Sequence, residues 1–158
     1  MPVNKILSWT AVILWMILIF NLSSRVAEQS NQLSTGITEV IVKTVERVAP
    51  NVEFDISSFN HIVRKSAHFF AYLVLGVLAM NAFRRSGVQG YKSIMLAAAV
   101  CVLYAVSDEF HQLFVPGRGG QAKDVFIDSA GATVGIVVYL LINRVAVRSR
   151  KNRNICTV

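Results

Sequence analysis

Charge is scarce in this chain. Asp, Glu, Lys and Arg make up 16% of its 158 residues, against 54% hydrophobic residues, whereas a soluble domain carries about 25% charged residues. With a mean hydropathy of +0.51, the shortage excludes an ordinary soluble globular domain. Cysteine is scarcer still. Cys101 lies in an apolar run and Cys156 in a basic tail, which excludes a disulfide framework and argues against their pairing. Internal repeats and low-complexity segments are lacking. So are a nucleophile elbow, a phosphatase-like Ser-Gly-His and any standard metal-ligand spacing, and without them neither a metal nor a cofactor is expected.

What the chain has is apolar runs. Stretches at about 6–22, 67–83, 93–110 and 125–143 approach the roughly 20 residues that cross about 30 Å of hydrocarbon. Lipid offers no hydrogen bonds to a backbone, so each run must be helical. The reading is all-α: a polytopic membrane protein built as a bundle of four transmembrane helices, a single membrane domain over 1–158. The first run resembles a signal peptide in following Lys5. Its length, Trp9 and Trp15, and the lack of an A-x-A site predict that it is retained.

The net charge of +7 is not a nucleic-acid signature, because its excess is confined to loops. Arg84, Arg85 and Lys92 lie between the second and third runs, and Arg144, Arg148, Arg150, Lys151 and Arg153 follow the fourth. The long loop 23–65 balances Arg25, Lys43, Arg47, Arg64 and Lys65 against Glu28, Glu39, Glu46, Glu53 and Asp55. The positive-inside rule then predicts cytoplasmic termini, with the loop 23–65 and the connection 108–124 facing outward.

Within that loop, Ile37, Val40, Ile41, Thr44, Val45 and Val48 fall at helical spacing between Gly36 and Pro50, with Glu39, Lys43, Glu46 and Arg47 on the opposite face. This predicts an extracytoplasmic amphipathic helix, lying either on the outer leaflet or on the protein's own outer surface. A second short helix, capped at Asp55 or Ser57, should feed Phe59, Ile62 and Val63 towards the second span. Ala97, Cys101 and Ala105 in the third span, with Gly131 and Gly135 in the fourth, repeat every fourth residue. Such spacing lets helices approach closely. Packing within the chain is the simpler use of it, and a homodimer is the other.

Against this background one group of residues stands out. Lys65, His68 and Tyr72 recur at i, i+3 and i+7 on one face of the second span. Asp108 and Gln112 share a face at the end of the third, with Glu109 about 100° from Asp108. Asp124 and Asp128 share a face where the fourth begins, and Arg118 lies in the turn-rich connector Val115-Pro116-Gly117-Arg118-Gly119-Gly120. Ionisable groups at bilayer depth cost several kcal/mol unless paired or wet, so they mark functional sites or ion-pair staples between helices. Asp108 and Glu109 are adjacent like charges that need a compensating cation, which Lys65 or Arg118 would supply.

The pattern Lys65-x-x-His68-x-x-x-Tyr72, Asp108-Glu109-x-x-Gln112-x-Phe114, Pro116-Gly117-Arg118, Asp124 and Gly131-Ala132 resembles the VanZ family over nearly the whole chain, and Ser23-Ser24 after the first span fits too. Asp128 departs from it, standing where an asparagine is expected, which points to a paired or protonated carboxyl. His111 falls at a position the family pattern leaves free. The resemblance implies a multi-pass protein of the bacterial cytoplasmic membrane. The family's name member is associated with low-level resistance to the acylated glycopeptide teicoplanin.

Two functions follow from the residues. In the first, a non-enzymatic one, an outward-facing polar pocket binds an amphiphile: a lipid-linked cell-wall precursor or a glycopeptide antibiotic. Lys65 and Arg118 hold phosphate or carboxylate, and His68, Tyr72, Asp108, Glu109, Gln112, Asp124 and Asp128 complete the pocket. In the second, a membrane-embedded hydrolase or transferase uses Glu109 or Asp108 as general base, His68 as proton shuttle and Arg118 to stabilise developing charge. Transport fits four spans less well.

Overall fold

The computed structural model describes the backbone of residues 2–24, 56–115 and 121–155, and the side chains of 3–24, 62–115 and 121–148. The amphipathic helix expected near 37–48 lies outside the described residues. All described elements are helices: α1 (Pro2–Ser23), α2 (Ile56–Arg85), α3 (Tyr91–Gln112) and α4 (Ala122–Ile155). Segments of 21, 24, 22 and 27 residues within them are long and apolar enough to cross a membrane.

Side-chain exposure argues for lipid. Leu14, Phe70, Leu103 and Phe126, one on each helix, are more than half exposed, a surface that would aggregate in water and costs nothing among acyl chains. Hydroxyls and amides on the spans turn back on their own helix. Thr10 Oγ1 donates to the carbonyl of Ile6 at 3.0 Å, Asn21 Nδ2 to Ile17 at 2.8 Å and Thr133 Oγ1 to Ser129 at 2.8 Å. Each polar group is thus satisfied without water.

No glycine or proline interrupts the chain from Ile56 to Leu75, so the short helix expected before the second span is continuous with it in α2. Its C-terminus closes through the N–H of Val88 on Phe83 O and the N–H of Gly87 on Arg84 O, both 3.1 Å, with Gly87 at φ 90°. This Schellman arrangement satisfies carbonyls that the helix end leaves free. It also turns the chain directly into α3, antiparallel to α2.

Interhelical bonds fix the rest. Trp15 Nε1 donates to Ala71 O at 2.8 Å and Trp9 Nε1 to Ser86 Oγ at 3.0 Å, so α1 runs antiparallel to α2. Tyr104 Oη donates to Met16 O at 2.5 Å, bringing α3 alongside α1. The closest pair is α2 and α4, which run parallel. A Cβ at Gly131 would overlap the carbonyl of Phe69, one at Gly135 that of Leu73, and one at Gly76 that of Ala132. Ala97, Cys101 and Ala105 are fully buried in the core beside Tyr72 and Leu75. The small residues of the third and fourth spans therefore serve packing inside the chain.

Candidate functional site

This up–down arrangement gathers the C-terminal ends of α1 and α3 with the N-terminal halves of α2 and α4. The expected polar residues meet there. Lys65 Nζ lies 2.7 Å from Asp124 Oδ1, both side chains about a quarter exposed at 23% and 27%. One turn deeper, His68 Nδ1 stands 3.8 Å from Asp128 Oδ2. The i, i+3 spacing on α2 thus meets an i, i+4 spacing on the parallel α4.

Asp108 is buried behind them. Its Oδ2 accepts from Ser23 Oγ at 2.7 Å and, more distantly, from Gln112 Nε2 at 3.4 Å. Gln112 Nε2 also donates to Ser23 Oγ at 3.1 Å. The triangle ties the last residue of α1 to the last turn of α3. Glu109 points elsewhere: its Oε2 accepts the backbone N–H of Gln121 at 2.7 Å, at the start of α4, where the helix dipole favours negative charge.

Of the two cations expected beside the adjacent carboxylates, Lys65 is placed elsewhere. Lys65 pairs with Asp124, while Asp108 takes a hydroxyl and an amide and Glu109 a helix N-terminus. Their 100° separation on α3 is the reason, since it sends them to different neighbours. Arg118 and its connector lie outside the described residues.

Tyr72 is fully buried, 6.1 Å from the ring of Tyr104 and within electrostatic reach of Asp108 and Asp128; its hydroxyl has no hydrogen-bond partner among the described residues. His111 sits at the margin, with Nε2 3.2 Å from Ser24 Oγ and its ring 4.5 Å from Phe20.

One nitrogen of His68 and one oxygen each of Asp108 and Asp128 all lie within 4.8 Å of one another. The carboxylates do not line an open pocket, since Asp108 is 2% exposed and Asp128 1%. Beside them lies an apolar groove of about 380 Å³, lined by Ile62, Lys65, Ser66, Phe69, Phe70 and Ile127. Lys65 belongs to both groove and ion pair.

Sequence reading left out two contributors. Ser23 had one signal, its place in the Ser23-Ser24 pair, and the groove had none, because its apolar residues come from different helices. The family model described as VanZ/LLP1 matches residues 8–143, which takes in most of each of the four spans and the whole polar cluster. No curated protein and no solved structure matches the chain.

Proposed function

The chain belongs to the VanZ/LLP1 family, and from that premise we propose that it binds an amphiphilic envelope ligand at the lipid-facing groove. The observation that carries this reading is the position of Lys65, which pairs with Asp124 at 2.7 Å and also lines an apolar groove with Phe69, Phe70 and Ile127. An amphiphile needs both a charge partner for its head and an apolar trough for its chain, side by side at the interface. Lys65, joined by Arg118 from the connector, holds the phosphate or carboxylate, and Asp124 takes an amine or sugar hydroxyl. His68, Tyr72, Asp108, Glu109, Gln112 and Asp128 hold the helix ends that frame this site.

The ligand class is a lipid-linked cell-wall precursor or an acylated glycopeptide, and the setting is a bacterial cytoplasmic membrane with this end of the bundle outward. The basic residues Arg84, Arg85 and Lys92 near the opposite end support that orientation. Low-level glycopeptide tolerance is the phenotype that follows.

The test compares susceptibility to teicoplanin, which carries an acyl chain, with susceptibility to vancomycin, which does not. Cells producing the chain should tolerate teicoplanin better than vector controls, with little change for vancomycin. Lys65→Ala should abolish the difference at equal membrane abundance. Equal protection against both drugs, or full protection by Lys65→Ala, would remove the groove from the account.

One observation favours a second reading. The proximity of His68, Asp108 and Asp128 supplies acid–base groups for a membrane-embedded hydrolase or transferase, with Glu109 as a further base. Conversion of a lipid-linked precursor by the purified chain, lost in Asp108→Asn, would decide for it.

A further inference from the structure

We infer that His68, Asp108 and Asp128 form a binding site for one divalent transition-metal cation. The site draws one residue from each of α2, α3 and α4, and its three donor atoms lie within 4.8 Å of one another. It therefore exists only when the bundle is assembled.

The independent observation is the state of the carboxylate oxygens. Asp128 is 1% exposed, and among the described residues neither of its oxygens has a hydrogen-bond partner; Asp108 is 2% exposed, and its Oδ1 has none among them. A buried carboxylate without a donor is costly, and such groups are paired or coordinate metals. Ser23 and Gln112 hold Asp108 Oδ2. They leave Oδ1 for an ion and fix the orientation of the carboxylate, as partners around a metal site do. Asp128 Oδ2 stands 3.8 Å from His68 Nδ1, too far for a hydrogen bond but suited to two ligands of a common centre.

The donor set selects the ion. Two carboxylates and a neutral imidazole sum to a charge of −2, which a divalent cation neutralises. An imidazole favours zinc and its first-row neighbours over magnesium or calcium, which take oxygen ligands. Bonds of about 2.0–2.2 Å to nitrogen and oxygen put ligand atoms roughly 3–4 Å apart, a contraction that side-chain rotation supplies. Three protein ligands leave a coordination position open, and the Tyr72 hydroxyl, without a hydrogen-bond partner among the described residues, is a further buried oxygen in reach of both carboxylates. This site needs only the chain's own side chains, so it stands or falls apart from the amphiphile reading.

The test uses the full chain purified in detergent with a histidine-free tag. After chelator treatment, Zn2+ alone is titrated against a competing indicator, with Mg2+ as control. The expected result is one zinc per chain, with affinity weakened about tenfold or more in His68→Gln and Asp128→Asn. His111→Gln, which changes the other described histidine, should bind as the wild type does. Should a variant fail to fold, the wild type decides: Zn2+ but not Mg2+ should raise its melting temperature. No zinc uptake by the wild type, or equal affinity in His68→Gln and His111→Gln, would overturn the site.

Discussion

Ser23 Oγ donates to Asp108 Oδ2 across 2.7 Å, joining the end of α1 to the end of α3 over a separation of 85 residues. Both residues are buried, Ser23 fully and Asp108 at 2% exposure. Removing the hydroxyl leaves Asp108 Oδ2, among the described hydrogen bonds, with the 3.4 Å contact to Gln112. Ser23→Ala should therefore destabilise the bundle by about 1–3 kcal/mol, the cost of an underserved buried acceptor. The check is a lower melting temperature in detergent, with Ser24→Ala, whose more exposed hydroxyl bonds its own helix and the marginal His111, as the milder comparison.

The α2–α4 seam gives a steeper expectation. A methyl group at Gly135 would collide with the backbone carbonyl of Leu73, and backbone cannot rotate aside as a side chain does. Gly135→Ala should cost about 1–3 kcal/mol through overpacking and lower the yield of folded protein. Gly87→Ala meets no neighbour, but carries the strain of φ 90°, so it should cost about 1 kcal/mol. Thermal melting of the two variants beside the wild type checks the order.

The surface ion pair predicts the opposite pattern. Lys65 and Asp124 are partly exposed, so breaking their bond should cost no more than about 1 kcal/mol. Lys65→Ala should fold and accumulate normally while losing ligand-dependent protection. A large fall in melting temperature would make the pair a structural staple instead.

Much of this site was legible in the sequence because it obeys period and depth. Lys65, His68 and Tyr72 at i, i+3 and i+7, and Asp124 and Asp128 at i, i+4, declare their faces without coordinates. The four spans declare themselves by length. Glu109's partner was not legible, since the N–H of Gln121 is backbone and carries no residue signal. Nor was Lys65's choice of Asp124 over Asp108, which depends on α2 and α4 running in parallel at close approach. Glycines 131 and 135 hinted at close packing, but small-residue spacing serves an intramolecular seam and a dimer equally well.

The orientation rests on charge asymmetry and has its own check. In a background without Cys101 and Cys156, Thr35→Cys should react with a membrane-impermeant thiol reagent in intact cells, and Gln89→Cys, in the exposed α2–α3 turn, should not. Labelling of Gln89→Cys from outside would invert the bundle and turn the groove end inward.

The central claim is that an amphiphile lies along α2 and α4 with its head at Lys65, and mapping by photo-crosslinking tests it most directly. An envelope lipid or acylated glycopeptide carrying a diazirine in its chain is activated on the purified protein, and the adducts are located by mass spectrometry. The account predicts adducts concentrated at Ile62, Phe69, Phe70 and Ile127, displaced by excess unlabelled ligand and lost in Lys65→Ala. Adducts spread evenly over the lipid-facing residues of α1 and α3, such as Leu14 and Leu103, and unchanged in Lys65→Ala, would contradict it.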